Sequence, residues 1–185
     1  MNKSFPIISI FAAIAVFAIA YGALVVQAKS AGEAAPNTVT YEAVLGKSLN
    51  DQNVADFIVS NHCSTVGPLQ ACKMAGLALW IGQDQKVETV YLYPNKTGDF
   101  RAYKGNLPFG LAANDTMASV EQKFGQDVEV HAPQAGRVPG LPEEGKSPDH
   151  FHYWAIYRRF GVTIVYNTPS ASDKGATIYA VLVNK

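Results

Sequence analysis

LPFGLAANDTMASVEQKFG, residues 107–125, is the stretch whose reading decides the fold. Leu107-Pro108-Phe109-Gly110 reads as a turn, Asn114-Asp115-Thr116 as a helix cap and Gly125 as a stop. Met117, Val120 and Phe124 then fall on one helical stripe. A helix with one apolar stripe buries it against a sheet, and one this short depends on its caps to form.

Downstream lie three strand candidates, HFHYWAIYRR (150–159), GVTIVYN (161–167) and ATIYAVLVN (176–184). Phe160-Gly161 makes a tight turn between the first two, and residues 168–175 make a looser one. Alternation leaves open which of Tyr153/Tyr157 and Trp154/Ile156 faces a core, because both sets are apolar. Upstream the same order occurs once before. In LGKSLNDQNVADFIVSNHC (45–63), Asn50 or Asp51 caps a helix with Val54, Phe57 and Ile58 on one face. AGLALWIG then alternates Leu77, Leu79 and Ile81 against Ala78 and Trp80. KVETVYLYP alternates Val87, Thr89, Tyr91 and Tyr93 against Glu88, Val90 and Leu92, and Gln83-Asp84-Gln85 is of hairpin length.

The expected fold class is therefore α+β, two helix-plus-antiparallel-sheet modules in tandem forming one layered domain after an N-terminal apolar segment. Residues 1–28 are a signal peptide or a transmembrane anchor, 29–39 a small, polar linker, and 40–95 the first module. Residues 96–106 form a connector, and 107–185 the second module, with a long loop at 126–149. The alternative is a single α+β domain whose two helix–sheet arrangements look alike by chance. The loop holds several Pro and Gly and is longer than most connections in compact domains, so it is either functional or disordered.

The chain has 185 residues and a formal net charge of zero. A neutral chain without like-charge runs has no broad footprint for nucleic acid. Ile7–Val26 carries no charge. Such a run is long enough, at about 30 Å as a helix, to span a membrane. It also fits a signal peptide cleaved after Val26-Gln27-Ala28. Either way residues 29–185 are exported, because Lys3 holds the N-terminus inside. The expected location is periplasmic or extracytoplasmic, either secreted or anchored in the inner membrane through residues 7–26. Cys63 and Cys72, the only cysteines, pair in an oxidising compartment; two buried free thiols are the alternative.

Gly110, Asp115-Thr116, Val120, Gly125, Tyr153-Trp154 and the strands around Val162–Tyr166 carry a resemblance. The second half resembles a family of small exported bacterial modules typified by the small lipoprotein of the outer-membrane β-barrel assembly machine. The whole resembles the β-lactamase inhibitor protein type, two such modules in tandem, each with a disulfide. Some exported immunity proteins share this look. Here there is no lipobox Cys, and the second module has no Cys at all. The resemblance implies a non-catalytic binding role in the envelope and no cofactor.

Catalytic constellations are sparse. His150 and His152 would share a strand face beside Asp149, but no third ligand stands at a fixed offset. Glu143-Glu144 are adjacent carboxylates in the long loop, and Ser64, Ser119 and Ser147 lack a nucleophile elbow. No metal, cofactor or enzymatic activity is expected. The aromatics Trp80, Tyr91, Tyr93, Tyr153, Trp154 and Tyr157 are the candidate partner-binding residues, since Tyr and Trp anchor protein interfaces. The expected function is an exported protein-binding module of inhibitor or immunity type, its partner a toxin, hydrolase or envelope component. The alternative is a membrane-anchored structural or assembly component of the envelope.

Overall fold

Two short helices, α1 (Tyr41–Val44) and α2 (Gln52–Ser60), lead into four strands, β1 (Ser64–Val66), β2 (Leu69–Cys72), β3 (Leu77–Ile81) and β4 (Val87–Leu92). Helix α3 (Met117–Phe124) then leads into four more, β5 (Glu129–Gln134), β6 (His152–Tyr157), β7 (Val162–Tyr166) and β8 (Ile178–Asn184). The computed structural model describes residues 39–125, 128–134 and 152–185, with backbone alone for 129–134. The apolar N-terminal segment, nearly all of the expected linker and most of the long loop lie outside the described residues.

All eight strands join one antiparallel sheet in the order β1-β2-β3-β4-β8-β7-β6-β5. Each half of the chain thus contributes four consecutive strands, and the halves meet through their last ones. At that seam Tyr91 pairs with Leu182 and Val90 with Val183. The described fold is α+β.

The caps form for the reasons the sequence suggests. The Asp51 side chain accepts the Asn53 N–H at 2.9 Å and starts α2. Thr116 starts α3 in a reciprocal pair: its hydroxyl oxygen accepts the Ser119 N–H, and the Ser119 hydroxyl oxygen accepts the Thr116 N–H at 3.0 Å. Gly125 ends α3 at φ 83°, a backbone conformation that costs glycine little. Below Thr116, buried Asp115 accepts from the Ala112 N–H at 2.7 Å, the Ser119 hydroxyl at 2.8 Å and Lys123 Nζ at 2.6 Å.

Both helices pack on the same face of the sheet. Val54 and Phe57 of α2 and Met117, Val120 and Phe124 of α3 share one buried cluster with Leu77, Leu79, Val90, Leu92, Tyr153, Tyr157, Ile164 and Val181. Ile58 is half-buried at its margin. Each buried stripe residue contributes roughly 1.5–3 kcal/mol relative to exposure. The Phe124 ring lies 4.8 Å from both Tyr157 and Phe160, which ties α3 to the β6–β7 hairpin.

Two expectations are corrected, and one stretch the sequence left unassigned takes structure. Val87 does not share a face with Tyr91 and Tyr93. The register shifts where Trp80 pairs with Thr89 and Ile81 with Val87, so Glu88 bulges and Val87 turns into the helix-side core. The stretch closed by the two cysteines is a hairpin, β1–β2, turning at Gly67-Pro68. Within the expected loop 126–149, Glu129–Gln134 form a strand, β5, paired to β6.

Candidate functional site

With the helices on one side, alternate residues of β2–β4 and β6–β8 are left on the other. Leu69, Ala71, Ala78, Tyr91, Tyr93, Val165, Ala180 and Leu182 form a second buried cluster there, with Trp80, Trp154 and Tyr179 half-buried around it. Phe100, from the segment after β4, covers one corner and packs tilted against Tyr93 at 4.4 Å between ring centres. No described helix joins this cluster.

This helix-free face is electrically quiet. Apart from Glu88, which the bulge leaves over Gly82 near Trp80, the positions of β2–β4 and β6–β8 that alternate onto it hold no Asp, Glu, Lys or Arg. Its polar groups bind one another across the seam. The Thr89 hydroxyl donates to Asn184 Oδ1 at 2.9 Å, and Asn184 Nδ2 reaches the Thr163 hydroxyl at 3.5 Å. Burial pushes the Tyr91 phenol up to about 12, and burial beside Tyr179 and Tyr91 pushes that of Tyr93 higher still. Both phenols keep their protons at physiological pH. Trp154 Nε1 is buried and has no hydrogen-bond partner among the described residues.

The six expected partner-binding aromatics divide. Trp80, Tyr91, Tyr93 and Trp154 come together on the helix-free face. Tyr153 and Tyr157 lie on the opposite side, 5% and 1% exposed beneath the helices, and are core residues. The reason is register. Tyr153 pairs with Tyr166 and Tyr157 with Val162, both helix-side residues, whereas Trp154 pairs with Val165. Tyr179 belongs to the face but was not among the expected residues. The register shifts between Val165 and Tyr166, so Tyr179 and Ala180 both turn to the helix-free side. Alternation in ATIYAVLVN assigns those two to opposite faces.

His152 stacks on Tyr179 at 4.0 Å between ring centres, and its Nδ1 lies 3.2 Å from the Tyr166 carbonyl oxygen. His150, Asp149, Glu143, Glu144 and Ser147 lie outside the described residues. Among the described residues no group of three or more His, Cys, Asp or Glu converges as a metal site. Ser119 is engaged in the α3 cap, and the Ser64 hydroxyl reaches the Ala71 carbonyl at 3.4 Å.

Cys63 and Cys72 are joined in a disulfide, which points to an oxidising, extracytoplasmic compartment. Among the described residues no helix is long and apolar enough to cross a membrane, and residues 7–26 are not among them. No protein-family model, no curated protein and no solved structure matches the chain.

Proposed function

We propose that the chain is an exported, non-catalytic protein-binding module of inhibitor or immunity type, and that its partner docks on the helix-free face. The observation that carries this reading is the placement of half-buried Trp80, Trp154 and Tyr179 around buried Tyr91 and Tyr93 on one sheet face with no described helix against it. Interfaces are built from rigid aromatic anchors with few charges at their centre. No described residue accepts the buried Trp154 N–H, a donor that costs about 1–3 kcal/mol when left alone and that a partner's carbonyl would satisfy if docking shifts the indole. The order of elements, helix then four antiparallel strands, twice, supports the tandem-module reading. It also agrees with the resemblance to the β-lactamase inhibitor protein type.

The test is capture followed by discrimination. The full oxidised chain, immobilised, is exposed to envelope and secreted fractions, and bound proteins are identified by mass spectrometry. A stoichiometric partner lost on Trp154→Ala, but retained on Val59→Ala at an exposed helix position, supports the proposal. A partner indifferent to Trp154→Ala, or no partner, overturns it. Capture of several resident envelope subunits would favour an assembly component instead.

A further inference from the structure

At the end of β3, the β1–β2 hairpin tip, the β3–β4 turn and Leu49 from the α1–α2 connection border a groove of about 680 Å³. This is within the roughly 300–1,000 Å³ of small-molecule sites. Trp80 and Leu49 give it apolar walls, and its polar lining is Thr65, Gln70, Gln83, Gln85 and Glu88. The lining holds three side-chain amides, one hydroxyl and one carboxylate, and no Lys, Arg or His.

Two of these groups are held in place. The Thr65 hydroxyl donates to buried Gln70 Oε1 at 3.0 Å, which fixes that amide and leaves its Nε2 to donate. Glu88 lies along the turn at Gly82, where a Cβ would overlap its carboxylate, so any side chain at 82 would displace it. Gln85 sits at φ 60°, in the left-handed region where glycine is the comfortable residue. Its backbone is pinned there: its N–H donates to the Gly82 carbonyl at 3.1 Å, and its own carbonyl accepts the Leu49 N–H at 2.9 Å. A long amide side chain at a position that asks for glycine implies a use for that side chain.

We propose that this groove binds a neutral oligosaccharide, one pyranose ring against Trp80 and its hydroxyls on the amides of Gln83 and Gln85 and the carboxylate of Glu88. Each sugar hydroxyl both donates and accepts. Amides complement both roles, and a carboxylate accepts two or more such bonds. The C–H face of a pyranose is apolar and flat enough for an indole. A phosphate or a uronic acid would find no cation in the lining and would meet Glu88 with like charge. A purely apolar ligand would cover the amides of Gln83 and Gln85 and the carboxylate of Glu88 without offering them a partner. The site is separate from the docking proposal except at Trp80, and its decisive variant, Gln85→Gly, lies off the helix-free face.

The experiment is calorimetric titration of the full oxidised chain, in a detergent without a sugar headgroup, with two probes. An N-acetylglucosamine tetramer represents acetamido glycans, and maltotetraose plain glucans. Saturable binding of either is expected, and which one binds distinguishes the two glycan sources. Gln85→Gly should weaken it at least about fivefold, one hydrogen bond's worth, while thermal stability holds or rises because the left-handed residue is relieved. Trp80→Ala should abolish it. No saturable heat from either sugar at about 10 mM, ten times a millimolar Kd, overturns the proposal. So does undiminished binding by Gln85→Gly, or binding of sulfate as tight as that of the sugar.

Discussion

Trp154→Phe separates the cost of folding from the gain of docking at a single side chain. In the free protein the indole sits half-buried on β6 opposite Val165, with a buried N–H that no described group accepts. Removing that orphan donor returns about 1–3 kcal/mol of desolvation cost. Losing the second ring from a half-buried position removes apolar contact worth roughly 1–2 kcal/mol. The two nearly cancel, so folding stability should stay within about 1 kcal/mol and Tm within about 4 °C of the parent in thermal denaturation. Docking is affected differently. If a partner acceptor meets the N–H, the variant loses both that bond and the aromatic area, about 2 kcal/mol for an anchor of this kind, or roughly 30-fold in Kd by surface plasmon resonance. A Tm lower by about 10 °C or more, with affinity unchanged, would show the indole to be a core residue with a satisfied N–H. The docking argument would then lose its centre.

Other perturbations test the remaining parts. Tyr157→Ala and Tyr153→Ala should each cost about 3–5 kcal/mol of stability, like other large-to-small core changes, seen as an early urea midpoint; a near-parental midpoint would return these residues to the surface. Reducing Cys63–Cys72, which closes a loop with a sequence separation of 9, should cost about 2.5–3 kcal/mol, measured by urea unfolding with and without reductant. For Asp115, burial pushes the carboxyl up, but the bonds from Lys123, the Ala112 N–H and Ser119 outweigh it and hold the carboxyl below its ordinary value. A carboxyl depressed in the folded state stabilises at pH above its unfolded value near 3.9, and that stabilisation drains away as pH falls through the folded value. The Tm advantage of the parent over Asp115→Asn should therefore be full at neutral pH and shrink below about pH 4; an advantage that grows on acidification would refute the assignment.

Where periodicity was strong, the elements could be read directly. The α3 stripe, both caps and the Leu77/Leu79/Ile81 face follow from spacing and cap chemistry alone. What escaped was decided by partners outside the local window. The hairpin β1–β2 has strands of three and four residues around Gly67-Pro68, too short for an alternating pattern to emerge. Strand β5 includes Pro133, which demotes a run to an edge, and β5 is indeed an edge strand. The bulge at Glu88 and the shift beside Tyr179 reverse the facing of single residues, and an extra residue in one strand leaves no mark on hydrophobicity. The candidate site suffered the same way. Tyr153 and Trp154 are equally good strand residues, and only the pairing with Tyr166 and Val165 sends one to each side.

The seam determines what kind of partner could use this surface. Trp80 stands on β3 and Trp154 on β6, and the order β3-β4-β8-β7-β6 puts four strand spacings between them. At about 4.8 Å each, the two indoles are roughly 19 Å apart, on the same helix-free face but in opposite halves of the chain. Between them run Tyr91, Leu182 and Val165 and the Thr89–Asn184–Thr163 ladder, all contributed by strands next to the seam. Neither half alone presents this surface, because β4 and β8 supply its middle. Residues that far apart without a shared partner act independently. Trp80→Ala and Trp154→Ala should therefore weaken partner binding additively, to within about 0.5 kcal/mol in a double-mutant cycle. Coupling well above that would mean one compact contact touching both indoles, or a change in the sheet between them, and rigid docking across the seam would be wrong. Loss from one substitution and none from the other would confine the partner to a single half.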